Sequence, residues 1–204
     1  MSLMKRLVAT TAASLLMLST QTAMAAVKVG EAAPNFSLSG EDGKPHSLAD
    51  YKGKTVVLEW TNAECPFVKK HYSGGNMQSL QKTYTGKDVV WLSINSSAPG
   101  KQGAVDAAKA AAIVKEKGAA PTHVLLDGKG EVGRLFEAKT TPHMFIVDTN
   151  GKLAYAGGID SEPSADPADI ASATPYVKNA LDELLAGKPV STAVTKPYGC
   201  SVKY

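Results

Sequence analysis

Val56-Val57-Leu58-Glu59-Trp60-Thr61-Asn62-Ala63-Glu64-Cys65-Pro66-Phe67-Val68-Lys69-Lys70-His71-Tyr72 is the stretch from which the rest of the chain is read. Its first part is a largely apolar, β-branched run of strand length. Four residues of turn chemistry follow, then a cysteine and a proline. Proline suits the first turn of a helix, because the N–H it lacks has no intrahelical partner there. The pattern therefore predicts Cys65 at a helix N-terminus, just past the end of a core strand. Unpaired N–H groups and the helix dipole favour an anion at that point, which lowers a thiol pKa and makes the sulfur a nucleophile. The competing reading is a small buried cysteine with no chemistry.

Outward from this stretch, residues 1–25 read as a leader. Lys5 and Arg6 precede an apolar run, Leu7 to Leu18, and Ala23-Met24-Ala25 has the small-x-small form of a cleavage site. The apolar run is too short to span a bilayer. The expected product is one domain, residues 26–204, periplasmic or secreted, with no cysteine at its start to carry a lipid. Loss of Lys5 and Arg6 takes the formal charge from +3 to +1, and no basic block remains, so nucleic acid and anionic membranes are not expected partners. Two cysteines, Cys65 and Cys200, are too few for a disulfide scaffold, so the core must supply the stability.

In chain order, short alternating segments at Val27–Val29 and Asn35–Leu38 flank Glu31-Ala32-Ala33-Pro34. Glu41–Lys44 is a turn, and Ser47–Gly53 a loop or short helix. The helix from Cys65 is expected to break at Ser73-Gly74-Gly75, with Asn76 capping its continuation and Met77, Leu80 and Tyr84 facing inward. Strands follow at 89–95 and 123–127, separated by an alanine-rich helix over 104–117 that Gly118 stops. A short helix over 132–138 precedes a hairpin of 144–148 and 152–156, turning at Thr149-Asn150-Gly151. Thr174-Pro175 opens a last helix, which Gly187 ends, and residues 187–204 form a tail. Strands alternating with helices and then a hairpin argue an α/β fold with a mixed central sheet flanked by helices, an N-terminal hairpin extension and a C-terminal tail.

This order resembles the thioredoxin fold, and more closely its redoxin branch, which holds peroxiredoxins and the alkyl hydroperoxide reductase/thiol-specific antioxidant group. Val29-Gly30-Glu31-Ala32-Ala33-Pro34-Asn35-Phe36 resembles the redoxin opening. Trp60 to Tyr72 places the cysteine as those proteins do. Thr141-Pro142 followed by Met144–Asp148 and Gly151 resembles the family's cis-proline loop and hairpin. Tyr198-Gly199-Cys200-Ser201-Val202-Lys203 is similar to tails of a peroxiredoxin-like subgroup with a CP(F/Y)VKxxY motif. The resemblance implies a thiol-based oxidoreductase in which Thr141 and Pro142 position the substrate, with no organic cofactor or metal and with a dithiol protein as reductant.

Three departures shape the expectation. The position three after Cys65 is Val68, so exchange within a C-x-x-C motif is excluded. The peroxiredoxin Thr or Ser three residues before the cysteine is Asn62 here, with Thr61 one step back. Arg134, the one arginine after the leader, is not placed at the thiol by anything in the sequence. Asn62 and Thr61 are candidate hydrogen-bond donors to the sulfur or a bound peroxide, or else loop-forming residues. Pro66 and Lys69, four residues after Cys65, are candidate thiolate stabilisers. His71 is expected on the surface or in packing, turned from the thiol, and Trp60 and Tyr72 as core aromatics.

The expected chemistry is attack by the Cys65 thiolate on a peroxide, giving a sulfenic acid, or on a disulfide, giving a mixed disulfide. Two cysteines, an oxidising compartment and no nearer partner make Cys200 the candidate resolving thiol. An unpaired Cys200, or one linking two chains, are the alternatives. A rival function is a redox-inert binding module, in its specific form a Cu(I) carrier using Cys65, Cys200 and His143.

Overall fold

The computed structural model describes residues 27–204, so the leader and cleavage site read over residues 1–25 lie outside the described residues. The chain opens with a hairpin, β1 (Ser37–Gly40) and β2 (Pro45–Ser47), and a short 3₁₀ turn at Leu48–Tyr51. β3 (Val56–Trp60) leads through Cys65 into α1 (Pro66–Ser73) and α2 (Asn76–Thr85), then β4 (Val90–Asn95) and α3 (Ala107–Lys117). β5 (His123–Leu126), α4 (Glu131–Leu135), the short β6 (Thr140–Thr141), β7 (His143–Val147) and β8 (Leu153–Gly157) follow. α5 (Tyr176–Leu185) and β9 (Cys200–Ser201) end the chain.

The main sheet has the order β2-β1-β5-β4-β3-β7-β8. β3, β4 and β5 run parallel, while β7 and β1 are antiparallel to β3 and β5 at the two sides. This is the mixed α/β sheet the alternation of elements predicted, hairpin extension included. Every residue of β3 and β4 is buried, because a parallel centre is covered on both faces. Side chains alternate between those faces. Val56, Leu58 and Trp60 join Phe36, Phe136 and Phe145 on one side. Val57 joins Trp91, Met144 and Ile146 on the other, under Met77, Leu80 and Tyr84 of α2 and Val177, Ala180 and Leu181 of α5. Among the described residues no helix is long and apolar enough to cross a membrane.

Two local expectations are corrected. The helix does break at Gly74 and Gly75, but Gly75, with φ 71°, occupies the cap of α2. Asn76 lies within the first turn, and its side chain turns back to His71 Nδ1 at 2.9 Å. The alanine-rich helix starts at Ala107 rather than 104, because the Asp106 carboxylate accepts from the Lys109 amide and sets the boundary. Residues 187–204 form a tail held against the body. They run back along the body, pairing Val194 with Ala156 and then adding β9 antiparallel to β6. Gly157 makes room for this return, since a Cβ there would stand 2.0 Å from Thr195 Oγ1.

Candidate active site

Cys65 is the N-cap of α1, with extended backbone (φ −69°, ψ 127°), and Pro66 takes the first helical position as predicted. The turn before it is closed by the Cys65 amide donating to Asn62 O at 3.0 Å. Across from the sulfur stands the loop of Thr141-Pro142, whose peptide bond is cis. The Thr141 carbonyl oxygen lies 3.1 Å from Cys65 Sγ. β9 then sets Cys200 directly opposite Thr141, and the two sulfurs are 2.7 Å apart. Both are free thiols, Cys65 fully buried and Cys200 partly exposed.

The two thiols differ electrostatically. Burial pushes the Cys65 thiol up, but the neighbouring Cys200 and Thr141 groups and the Val68 amide in the first helical turn outweigh it and hold the pKa below its ordinary value. The Val68 contribution is the unpaired N–H of a helix first turn acting on an anion. Burial and the neighbouring Cys65 sulfur push Cys200 the other way, up to about 11. Cys65 is thus the more acidic thiol of the pair and Cys200 the less acidic one.

The segment carrying Cys200 is anchored to the helix that Cys65 begins. Tyr198 donates a short hydrogen bond to Asp160 and accepts from His71 Nε2 at 3.1 Å. With Asn76 donating to the other ring nitrogen, this network assigns the Nε2–H tautomer to a neutral His71. Lys70 Nζ lies 3.6 Å from Asp160 Oδ2, donates to Glu162 O at 2.8 Å, and sits 5.5 Å over the Tyr198 ring. Phe67 meets the same ring edge-on at 5.9 Å. His71 is therefore interior, correcting the surface alternative, because the returning tail covers it.

Burial lowers the His71 pKa to about 4 despite the nearby Asp160 carboxylate. In the unfolded chain a histidine takes up its proton near pH 6.5, so the unfolded state binds more protons between those values. The stability His71 contributes is present above pH 6.5 and lost as the pH falls towards 4, at about 1.4 kcal/mol per unit, or about 3 kcal/mol in all. Urea unfolding at pH 7 and pH 4.5 should show this loss, and His71→Gln should flatten it. An unchanged acid slope in that variant would mean His71 is not neutral in the fold.

Gly199 is the residue that lets β9 come so close. Its φ is 134°, and a Cβ there would stand 2.1 Å from the Thr141 carbonyl oxygen. Gly199→Ala should push Cys200 off β6 at a strain cost on the order of 1–3 kcal/mol. Disulfide formation between Cys65 and Cys200 should then slow by about tenfold or more, read by quenched alkylation.

The remaining candidates fall elsewhere. Asn62 is buried, but its Oδ1 accepts from the Glu64 amide and its Nδ2 donates to Gln102 O, so its amide serves the loop and not the sulfur. The Thr61 hydroxyl acts on the Glu59 carboxyl. Lys69 is exposed and is not among the groups acting on Cys65, because a helical i,i+4 count does not apply from a cap residue with extended backbone. His143 accepts from the Lys139 amide at 3.2 Å, and burial lowers its pKa to about 3. Among the described residues it does not join the two cysteines in a group of metal-ligand geometry. Arg134 stacks on the Tyr204 ring at 4.6 Å and donates to Lys129 O.

Sequence reasoning passed over Glu59. It lies fully buried on the face that α2 covers. Its carboxyl accepts from Trp91 Nε1 and Ser93 Oγ at 2.8 Å each, and from Gln81 Nε2 and the Tyr72 hydroxyl at 3.3 Å each. Burial raises its pKa more than those donors lower it. An acidic residue inside an otherwise apolar strand was the available signal.

Beside the sulfurs, Thr140, Asp160, Pro163, Lys196, Tyr198 and Gly199 contribute to the lining of an open depression of about 370 Å³.

Comparison with known proteins places these features. The profile of the AhpC/TSA family matches residues 29–156. Thiol-disulfide oxidoreductase ResA of Geobacillus thermodenitrificans is 29% identical over 128 residues, 63% of this chain and 68% of that protein. The crystal structure of an uncharacterized conserved protein from Geobacillus kaustophilus superposes with a TM-score of 0.74 at 28% identity, covering 87% of this chain and 92% of the other. Peroxidoxin BcpB from Mycobacterium tuberculosis, at 22% identity and a TM-score of 0.55 over 78% of this chain and 97% of its own, shares the thioredoxin-like fold.

Proposed function

The chain belongs to the AhpC/TSA family of thiol-based oxidoreductases, and from that premise we propose that it is an exported enzyme that exchanges disulfides through Cys65 and Cys200. The observation that carries this reading is the 2.7 Å approach of a low-pKa Cys65 sulfur to a high-pKa Cys200 sulfur beside the Thr141-Pro142 loop. In the reduced protein, β9 moves aside and the Cys65 thiolate attacks one sulfur of a substrate disulfide. A Cys65–substrate disulfide forms, and the other substrate sulfur leaves as a thiolate and takes a proton from solvent. Cys200 then loses its proton and attacks Cys65 Sγ, forming the Cys65–Cys200 disulfide and releasing the second substrate thiol. Two electrons have passed from protein to substrate, and a dithiol partner protein returns them. Thr141 and Pro142 offer backbone to an extended segment of the substrate, and the depression lined by Pro163 and Tyr198 takes its flank.

Export rests on the leader features of residues 1–25, and N-terminal sequencing of the mature protein should begin at Ala26. A peroxide is the second substrate class, favoured by the family match. Against efficient peroxide reduction stand the use of Asn62 by its loop and the engagement of Arg134 with the Tyr204 ring and Lys129 O. Stopped-flow oxidation of the reduced protein decides between them. The reading predicts faster reaction with a protein disulfide than with hydrogen peroxide at equal concentration. Peroxide reacting the faster, and well above a free thiol of matched pKa, would reverse it.

A further inference from the structure

The end of the sheet opposite Cys65 holds a second cluster of chemically capable side chains. β3 and β5 both run parallel to β4; Cys65 follows the C-terminal end of β3, whereas His123 begins β5. There Asp42 in the β1–β2 turn, His46 in β2 and His123 bring their oxygen and nitrogen atoms within 4.8 Å of one another. We propose that this is a binding site for a divalent transition-metal ion, Zn²⁺ or Cu²⁺ by its ligand chemistry, held by Asp42, His46 and His123, with Glu41 beside His123 as an outer carboxylate.

The arrangement has the parts such a site needs. His46 Nε2 lies 3.0 Å from Asp42 Oδ1. Its other nitrogen, Nδ1, is 3.3 Å from the Tyr51 hydroxyl, an outer contact of the kind that orients a ligating imidazole. The two imidazole rings lie with centroids 3.8 Å apart and planes tilted by 31°, so one ring must turn for their in-plane lone pairs to converge on one ion. His123 Nδ1 is buried and has no hydrogen-bond partner, an unmet need a cation would satisfy. Glu41 Oε1 is 3.7 Å from that nitrogen, while its Oε2 is fixed by the Val124 amide at 2.7 Å.

Two imidazoles with carboxylates suit Zn²⁺ and Cu²⁺, and the lack of a thiolate disfavours Cu(I). Metal–ligand bonds near 2.0–2.2 Å place tetrahedral ligand atoms about 3.3 Å apart. The present separations, 3.0 Å for one pair and all within 4.8 Å, bracket that value, so closure takes a shift of about 1 Å and a ring turn in side chains that are all partly exposed. That partial exposure also gives the ion an entry path. A bound ion would tie the hairpin extension to β5 without touching the thiols.

The test uses the full chain carrying Cys65→Ser and Cys200→Ser, so that sulfur cannot compete. Calorimetry with Zn²⁺ should give one ion per chain and a raised Tm. The paramagnetic resonance spectrum with Cu²⁺ should show coupling to two nitrogens. His46→Gln, His123→Gln and Asp42→Asn should each weaken Zn²⁺ binding by tenfold or more. Asp42 lies in an exposed turn, so its variant tests the site without endangering the fold, and the Cu²⁺ spectrum needs no variant. Absence of Zn²⁺ binding at millimolar concentration, equal affinity in Asp42→Asn, or a Cu²⁺ spectrum without two nitrogens would each overturn the proposal.

Discussion

Cys65→Ser is expected to lower turnover of a protein disulfide by about 10³-fold or more, and Cys200→Ser to stop the reaction halfway. The asymmetry follows from the two pKa directions. Cys65 is the more acidic thiol, its pKa lowered by Cys200, Thr141 and the first turn of α1, so removing it removes the nucleophile. Cys200 is pushed up by burial and by its neighbour, so it acts as the second attacker, once Cys65 is bonded to substrate. Its loss leaves a Cys65–substrate disulfide with nothing close enough to displace it. Non-reducing electrophoresis with a disulfide-bonded substrate should show that adduct accumulating in Cys200→Ser and absent from Cys65→Ser. An adduct in Cys65→Ser alone would exchange the two roles.

The second large effect concerns Glu59. Glu59→Leu removes the common acceptor of Trp91, Ser93 and Gln81, leaving buried donors without a partner. Each such group costs about 1–3 kcal/mol, though the Ser93 and Tyr72 hydroxyls can turn to other acceptors, so a total loss of about 3 kcal/mol is expected in urea unfolding at pH 7. The pH dependence has a definite sign. Because burial raises the folded pKa of Glu59, its contribution is full below the unfolded carboxyl pKa and is lost as pH rises through the folded value. Wild-type protein should therefore lose more stability over that rise than Glu59→Gln, which cannot ionise. A Glu59→Leu protein as stable as wild type would mean the carboxyl is replaceable by packing alone.

What the sequence revealed and what it hid divide along a physical line. The strand–Cys65–Pro66 passage was legible because both its signals, an apolar run and a proline that only a first helical turn accepts, are local. The turn at Glu41–Lys44, the breaks at Gly74 and Gly118 and the β7–β8 hairpin were legible for the same reason, whereas Val27–Val29 forms no strand and β2 at Pro45–Ser47 carries no strand signal of its own. The Thr141-Pro142 loop was legible through family likeness rather than through any rule of spacing. What stayed hidden depends on partners far away in the chain. Tyr198, His71, Lys70 and Asp160 sit in three separate segments, and none shows in its own segment what the others will cover. The tail carries no periodic apolar pattern, so its return past Gly157 and its pairing at Cys200 are tertiary facts. Helical phase counted from a cap residue points to Lys69, which lies exposed, while the burial of Lys70 depends on the returning tail and shows in no local pattern. Asp42, His46 and His123 meet only because β5 pairs with a hairpin that begins far earlier in the chain.

The central claim is that Cys65 and Cys200 of one chain form a single redox couple. It is tested most directly by peptide mass mapping of the unreduced full chain after mild oxidation, with remaining thiols blocked at the quench. The account predicts a peptide joining Cys65 to Cys200 within the monomer, lighter than the reduced pair by two hydrogens and restored to two thiols by a dithiol reductant. Two thiols still free after oxidation, or linkage found only between chains, would contradict it.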